Sequence, residues 1–130
     1  MRSTYTIDLP PMPEAFHEAV KALLTKEKYR ETHYKNRETK EDEIVWQFGD
    51  GLFVLRRFIK LEYTPTQLVI SGWMDPKGGL LAPGRPERDL DGGLLTYGSG
   101  AKECIRNTIE KIIALAEQGR QAYRNQPPVQ

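Results

Sequence analysis

The sequence predicts an α+β domain: an antiparallel β-sheet (a meander) with an N-terminal and a C-terminal helix packed on one face, in the order β-α-β-β-β-(β)-α. Three observations predict it. Apolar residues recur at helical spacing near each end of the chain, at Phe16, Ala19, Val20, Leu23 and Leu24 and again at Ile105, Ile109, Ile112, Ile113 and Ala116. Between these stripes, successive segments alternate apolar and polar residues and are separated by turn signals. Two amphipathic helices need a shared apolar surface, and one face of an antiparallel sheet supplies it.

The elements follow in order. Thr4 to Leu9 alternates, with Tyr5, Ile7 and Leu9 on one face, and predicts a short strand ended by Pro10 and Pro11. Pro13 suits the first position of a helix, where its missing N–H is not needed, and Glu14 suits the positive end of the helix dipole. That helix is expected to run to about Lys28. Tyr29 to Asp42 is polar, with an edge strand conceivable over Tyr29–Tyr34 and a loop beyond it. Glu43 to Phe48 reads as a strand, and Gly49-Asp50-Gly51 as a hairpin turn. Leu52 to Tyr63 is a longer strand whose alternation slips at Arg56-Arg57, which predicts a bulge or a change of face. Thr64-Pro65-Thr66 turns the chain into a third strand, Gln67 to Met74.

Asp75 to Gly100 is rich in glycine and proline and predicts a long loop, with a short strand around Leu90 or Leu94-Leu95 as the parenthesised element. Ala101 to about Arg120 is the second helix, with Gly119 placed where helices commonly end. Residues 1–120 thus form one expected domain, and 121–130, with Pro127-Pro128, a mobile tail. The element order is similar to that of TATA-binding-protein-like and helix-grip folds, which implies a general shape and no function.

Composition narrows the classes. With 130 residues, 38% of them hydrophobic, and 19 basic against 18 acidic residues, the chain is too apolar and too balanced in charge for disorder. It also lacks the basic excess of a protein that lives on phosphate contacts. Cys104 is the single cysteine, so no intrachain disulfide and no cysteine-based zinc site can form within one chain. The first residues begin no apolar run, and no segment has the length and apolarity of a membrane span, so a cytoplasmic location is expected.

Candidate sites are few. His17 and His33 have no partner motif around them, and Cys104 on a helix flank reads as a small core hydrophobe. Asp89-Leu90-Asp91-Gly92 lacks the later ligands of a calcium loop and reads as a charged turn; no metal or cofactor is expected. Gly98-Ser99-Gly100 leading into a helix with Lys102 in its first turn is an anion-binding candidate, because free amides at a helix start attract anions. Arg56, Arg57 and Lys60 beside aromatic residues resemble a nucleic-acid face only faintly, so nucleic acid is not an expected partner.

Trp46, Phe58, Trp73 and Tyr97 exceed what two helices can cover, with Arg57, Arg85 and Arg88 near them. Arg57, Trp73, Arg85, Arg88 and Tyr97 are therefore the expected ligand- or partner-binding residues. No catalytic residue stands out. The expected function is a non-enzymatic binding or interaction domain that self-associates as a homodimer through its sheet. The alternative is a small-ligand or anion-binding protein, with enzymatic activity not excluded, using the sheet face and residues 75–100; a nucleic-acid-binding module ranks third.

Overall fold

The computed structural model describes residues 2–36, 38–50, 55–75, 87, 89–91 and 99–125, without the Ser99 side chain. Seven elements follow one another: β1 (Ser3–Asp8), α1 (Pro13–Lys26), β2 (Arg30–Lys35), β3 (Asp42–Phe48), β4 (Arg56–Tyr63), β5 (Gln67–Asp75) and α2 (Ser99–Arg124). The five strands form one antiparallel sheet in the order β1-β5-β4-β3-β2. β2 to β5 run as successive neighbours. β1 breaks the meander, because α1 carries the chain across the sheet and leaves β1 paired with the last strand, Ser3 opposite Gly72 and Ile7 opposite Leu68.

Both helices cover one face, as the stripes require. Phe16, Val20 and Leu24 of α1 and Ile105, Ile109, Ile112 and Ala116 of α2 are buried with Ile59, Leu68, Ile70 and Met74 of the sheet in one core. Tyr5, Ile7, Trp46, Phe48 and Leu61 close its margins. No helix among the described residues is long and apolar enough to cross a membrane.

Several boundaries differ from the sequence reading. The additional strand is Arg30–Lys35 rather than a segment near Leu90, which sits in a bend; Leu94-Leu95 lies outside the described residues. The β4–β5 ladder runs in unbroken register from Arg56 opposite Asp75 to Tyr63 opposite Leu68, so no bulge is present there. The slip in pattern arises because Arg57, on the helix-covered face, lays its guanidinium 4.2 Å from the centre of the Phe48 ring. Residues 52–54, expected to open that strand, lie outside the described residues.

The second helix does not stop at Gly119. It continues through Arg124, into the segment expected to be a mobile tail. A Cβ at position 119 would stand 3.1 Å from Pro10 Cβ, so this glycine serves close packing against the β1–α1 connection rather than helix termination.

Leu90 marks a second departure from a plain loop. It is 1% exposed and belongs to the core, with its N–H donated to Ser3 Oγ at 2.9 Å. Its carbonyl accepts from Arg106, and the Asp91 carbonyl accepts from Lys102 Nζ at 2.5 Å. Residues 90–91 are therefore tied to β1 and to α2 at once.

Candidate functional site

Strand alternation sends Trp73, Phe58, Val45 and Tyr34 to the face of the sheet that carries no helix. Two strand partnerships set them side by side, Phe58 opposite Trp73 and Tyr34 opposite Glu43. The Phe58 and Trp73 rings stack with centres 5.3 Å apart and planes 15° from parallel, and Tyr34 leans on both at 4.6 and 5.7 Å. All four residues are buried, Trp73 completely.

A charged layer covers these rings. The Arg2 guanidinium lies 3.7 Å from the centre of the Trp73 ring, a cation–π contact in a desolvated place. It donates to both oxygens of Glu43, at 2.8 and 3.0 Å, and to both oxygens of Glu87, at 3.0 and 3.1 Å. Lys60 Nζ reaches Glu43 at 2.6 Å, and Arg56 reaches Asp75 at 3.2 Å. The Tyr34 hydroxyl lies 2.6 Å from Asp75 and 2.5 Å from Glu87; having one proton, it donates to one carboxylate at a time. Arg2, Lys60 and Arg56 thus balance Glu43, Glu87 and Asp75.

The titration of the cluster follows from these contacts. Burial would raise the Glu43 carboxyl, but hydrogen bonds from Arg2 and Lys60 outweigh it and hold the group at about 2. Burial likewise opposes the charge on Arg2, and its bonds to Glu43 and Glu87 more than restore it. Tyr34 is pushed far above the ordinary phenol value, first by burial and then by Asp75 and Glu87. At neutral pH it is a neutral donor. Among the described residues these charges balance, and the chemical capacity of the arrangement is to hold residue 2, strands β2, β3, β4 and β5 and residue 87 together over an aromatic floor. Trp73 Nε1 is buried and finds no hydrogen-bond partner among the described residues.

The sequence-predicted residues are distributed as follows. Trp73 is at the centre of this cluster but closed within the chain rather than presented to a partner. Arg57 lies on the opposite face of the sheet, over Phe48, so the two are not brought together. Arg56 and Arg57, adjacent in sequence, serve different faces, which removes the continuous basic strand surface. Lys102 is 5% exposed and committed to the Asp91 carbonyl, while Gly100 is exposed with open space around it. Ser99 opens α2, and Gly98, Arg85, Arg88 and Tyr97 lie outside the described residues. Cys104, expected in the core, is exposed on α2. His17 pairs with Tyr63, its Nδ1 2.5 Å from the hydroxyl. Among the described residues no group of three or more His, Cys, Asp or Glu is placed to hold a metal.

An open apolar surface lies on the helix layer. α1 and α2 lie antiparallel, and two adjoining hollows run along the solvent side of the seam between them. One, of about 330 Å³, is lined by Pro10, Pro11, Met12, Ala15, Phe16, Gly119, Ala122 and Tyr123. The next, of about 410 Å³, is lined by Ala22, Leu23, Lys26, Lys111 and Ala114, and both share Ala19, Leu115 and Gln118. Met12 and Tyr123 are 67% and 57% exposed at its mouth. Met12 also holds a left-handed backbone with φ 60°, a conformation that costs a non-glycine residue roughly 1–2 kcal/mol. Sequence reasoning passed over this groove, although it has a signal: Ala15, Ala19 and Ala22 recur on the side of α1 where a solvated helix ordinarily carries charge.

No protein-family model, curated protein or solved structure matches the chain.

Proposed function

We propose that this protein is a non-enzymatic interaction domain that self-associates, and that its contact surface is the groove between α1 and α2. The observation that carries this reading is the apolar lining of that groove, with Met12, Ala15, Ala22, Ala114 and Tyr123 turned to solvent while Tyr34 and Trp73 of the sheet are closed beneath Arg2. Apolar patches rimmed by polar residues are the ordinary form of a protein contact. The 14 residues of α1 offer about 21 Å of length for docking. A stable contact buries roughly 1,200–2,000 Å² in total, which a face of two helices can supply.

Sedimentation velocity from about 1 to 100 μM tests the reading, a range that brackets the weaker specific associations. A dimer that dissociates when Ala19 and Ala22 are both replaced by Glu, with the circular dichroism spectrum intact, supports it. A chain that stays at 14.9 kDa throughout refutes it.

One observation favours a second reading, a small-ligand site on the helix-free face. The Trp73 indole N–H is buried and has no partner among the described residues, which is costly, and a ligand acceptor would satisfy it. In a Trp46→Phe chain, Trp73 is the sole tryptophan, so a ligand there would shift its emission directly.

A further inference from the structure

The proposed self-association fixes a surface but not an orientation, and the charges on α1 select one. Ala15, Ala19, Ala22 and Lys26 follow at spacings of four, three and four residues, the spacing of a helix-pairing seam. The three alanines allow helix axes to approach to about 8 Å. Glu14 and Glu18 flank the N-terminal end of this seam, and Lys26 ends it about 16 Å away, at 1.5 Å per residue. Glu18 is paired within its own helix to Lys21 at 2.9 Å, whereas Glu14 and Lys26 have no ion-pair partner among the described residues.

We infer, resting on the self-association reading, that the occupant of the groove is a second copy of this chain whose α1 lies antiparallel to the first, with the twofold axis between Ala19 and Ala22. Each Lys26 then stands opposite Ala15 of the other copy, between Glu14 and Glu18 of that copy. A parallel arrangement sets Lys26 against Lys26 and Glu14 against Glu14, which charge disfavours. Twofold closure is the commonest solution for a self-complementary face. Lys111, at the same end of the groove as Lys26, is already held by Glu27 at 2.5 Å and leaves Lys26 as the cation offered outward.

The test combines charge reversal with directed cross-linking. Lys26→Glu weakens dimerisation about tenfold, because two symmetry-related attractions become repulsions. Glu14→Lys with Glu18→Lys does the same, and an equimolar mixture of the two variants regains wild-type affinity as a heterodimer. In a Cys104→Ser background, an Ala15→Cys chain mixed with a Lys26→Cys chain forms a disulfide between copies, and neither forms one alone, because identical positions lie about 16 Å apart, beyond disulfide reach. A wild-type chain that never dimerises overturns the self-association reading and this inference with it. A dimer indifferent to charge reversal, or one in which Ala15→Cys chains cross-link with each other, overturns the antiparallel register alone. A groove that stays monomeric yet binds an amphipathic helical peptide assigns the surface to a different partner and also overturns it.

Discussion

Gly72 sets the distance between α2 and the sheet, and adding one methyl group there tests that statement. The residue sits on β5 between Ser3 and Ile59. A Cβ would come within 3.0 Å of Ile109 Cδ1 and Leu90 Cδ1 and 3.1 Å of Ile105 Cγ2. All three neighbours are 1% exposed or less, so their side chains have nowhere to swing. Overpacking of such a site costs about 1–3 kcal/mol. The backbone at Gly72 is not left-handed, so alanine suffers no φ strain and instead regains about 0.4–1 kcal/mol by restricting the unfolded chain. The net loss is about 1–2 kcal/mol. In a chain of 130 residues that lowers the melting temperature by roughly 3–10 °C. Urea unfolding should show a lower midpoint with an unchanged slope. In a Leu90→Ala background the lost methyl groups make room, so Gly72→Ala should there be harmless; that coupling identifies the contact. Wild-type stability in the single variant would refute the argument that this glycine is needed for close packing.

Three further outcomes follow from the same contacts. Ile112→Ala, in the middle of the buried face of α2, should cost about 2–5 kcal/mol by denaturation, from lost burial plus a cavity. Glu43 carries its carboxyl at about 2 in the folded chain against an ordinary 4.5, so its contribution is complete above about 4.5 and is lost as the pH falls from there towards 2. A Glu43→Gln chain should be less stable at neutral pH and show a shallower acid limb; parallel stability–pH curves would contradict the pairing with Arg2 and Lys60. Trp73→Ala should cost the fold itself about 3–5 kcal/mol, since the ring is a floor for Arg2 and a stacking partner for Phe58. Unchanged stability with lost association would return the contact surface to the sheet.

Periodicity made the helices legible. Phe16, Val20 and Leu24 repeat every fourth residue, and Ile105, Ile109 and Ile112 do nearly so, and these are the residues the core buries. β2 was harder to read because Arg30–Lys35 is polar on both faces and buries Tyr34 alone. Gly119 misled for a physical reason: glycine lowers helix propensity wherever it stands, and only the approach of Pro10 explains why one is tolerated inside α2. The charged cluster had no local signature at all. Arg2 lies 41 residues from Glu43 and 85 from Glu87, and no spacing rule connects them. Trp73 was singled out because the sheet has two apolar faces, but the residues that cover it are charged and distant, so their burial could not be foreseen from pattern.

The position of β1 bears on the order in which the molecule assembles. β2 to β5 meet through neighbouring hairpins, contacts that close quickly and need no distant partner. β1 finds its neighbour at the far end of the meander, with Ser3 waiting for Gly72, and Arg2 gains its carboxylates when β3 and residue 87 are both in place. The entropy of closing that long loop falls before any of these contacts reward it. The N-terminal strand and its arginine should therefore be the last part of the sheet to assemble and the first to leave it. Arg2→Ala should speed the unfolding limb of a chevron plot while leaving the refolding limb nearly where it was.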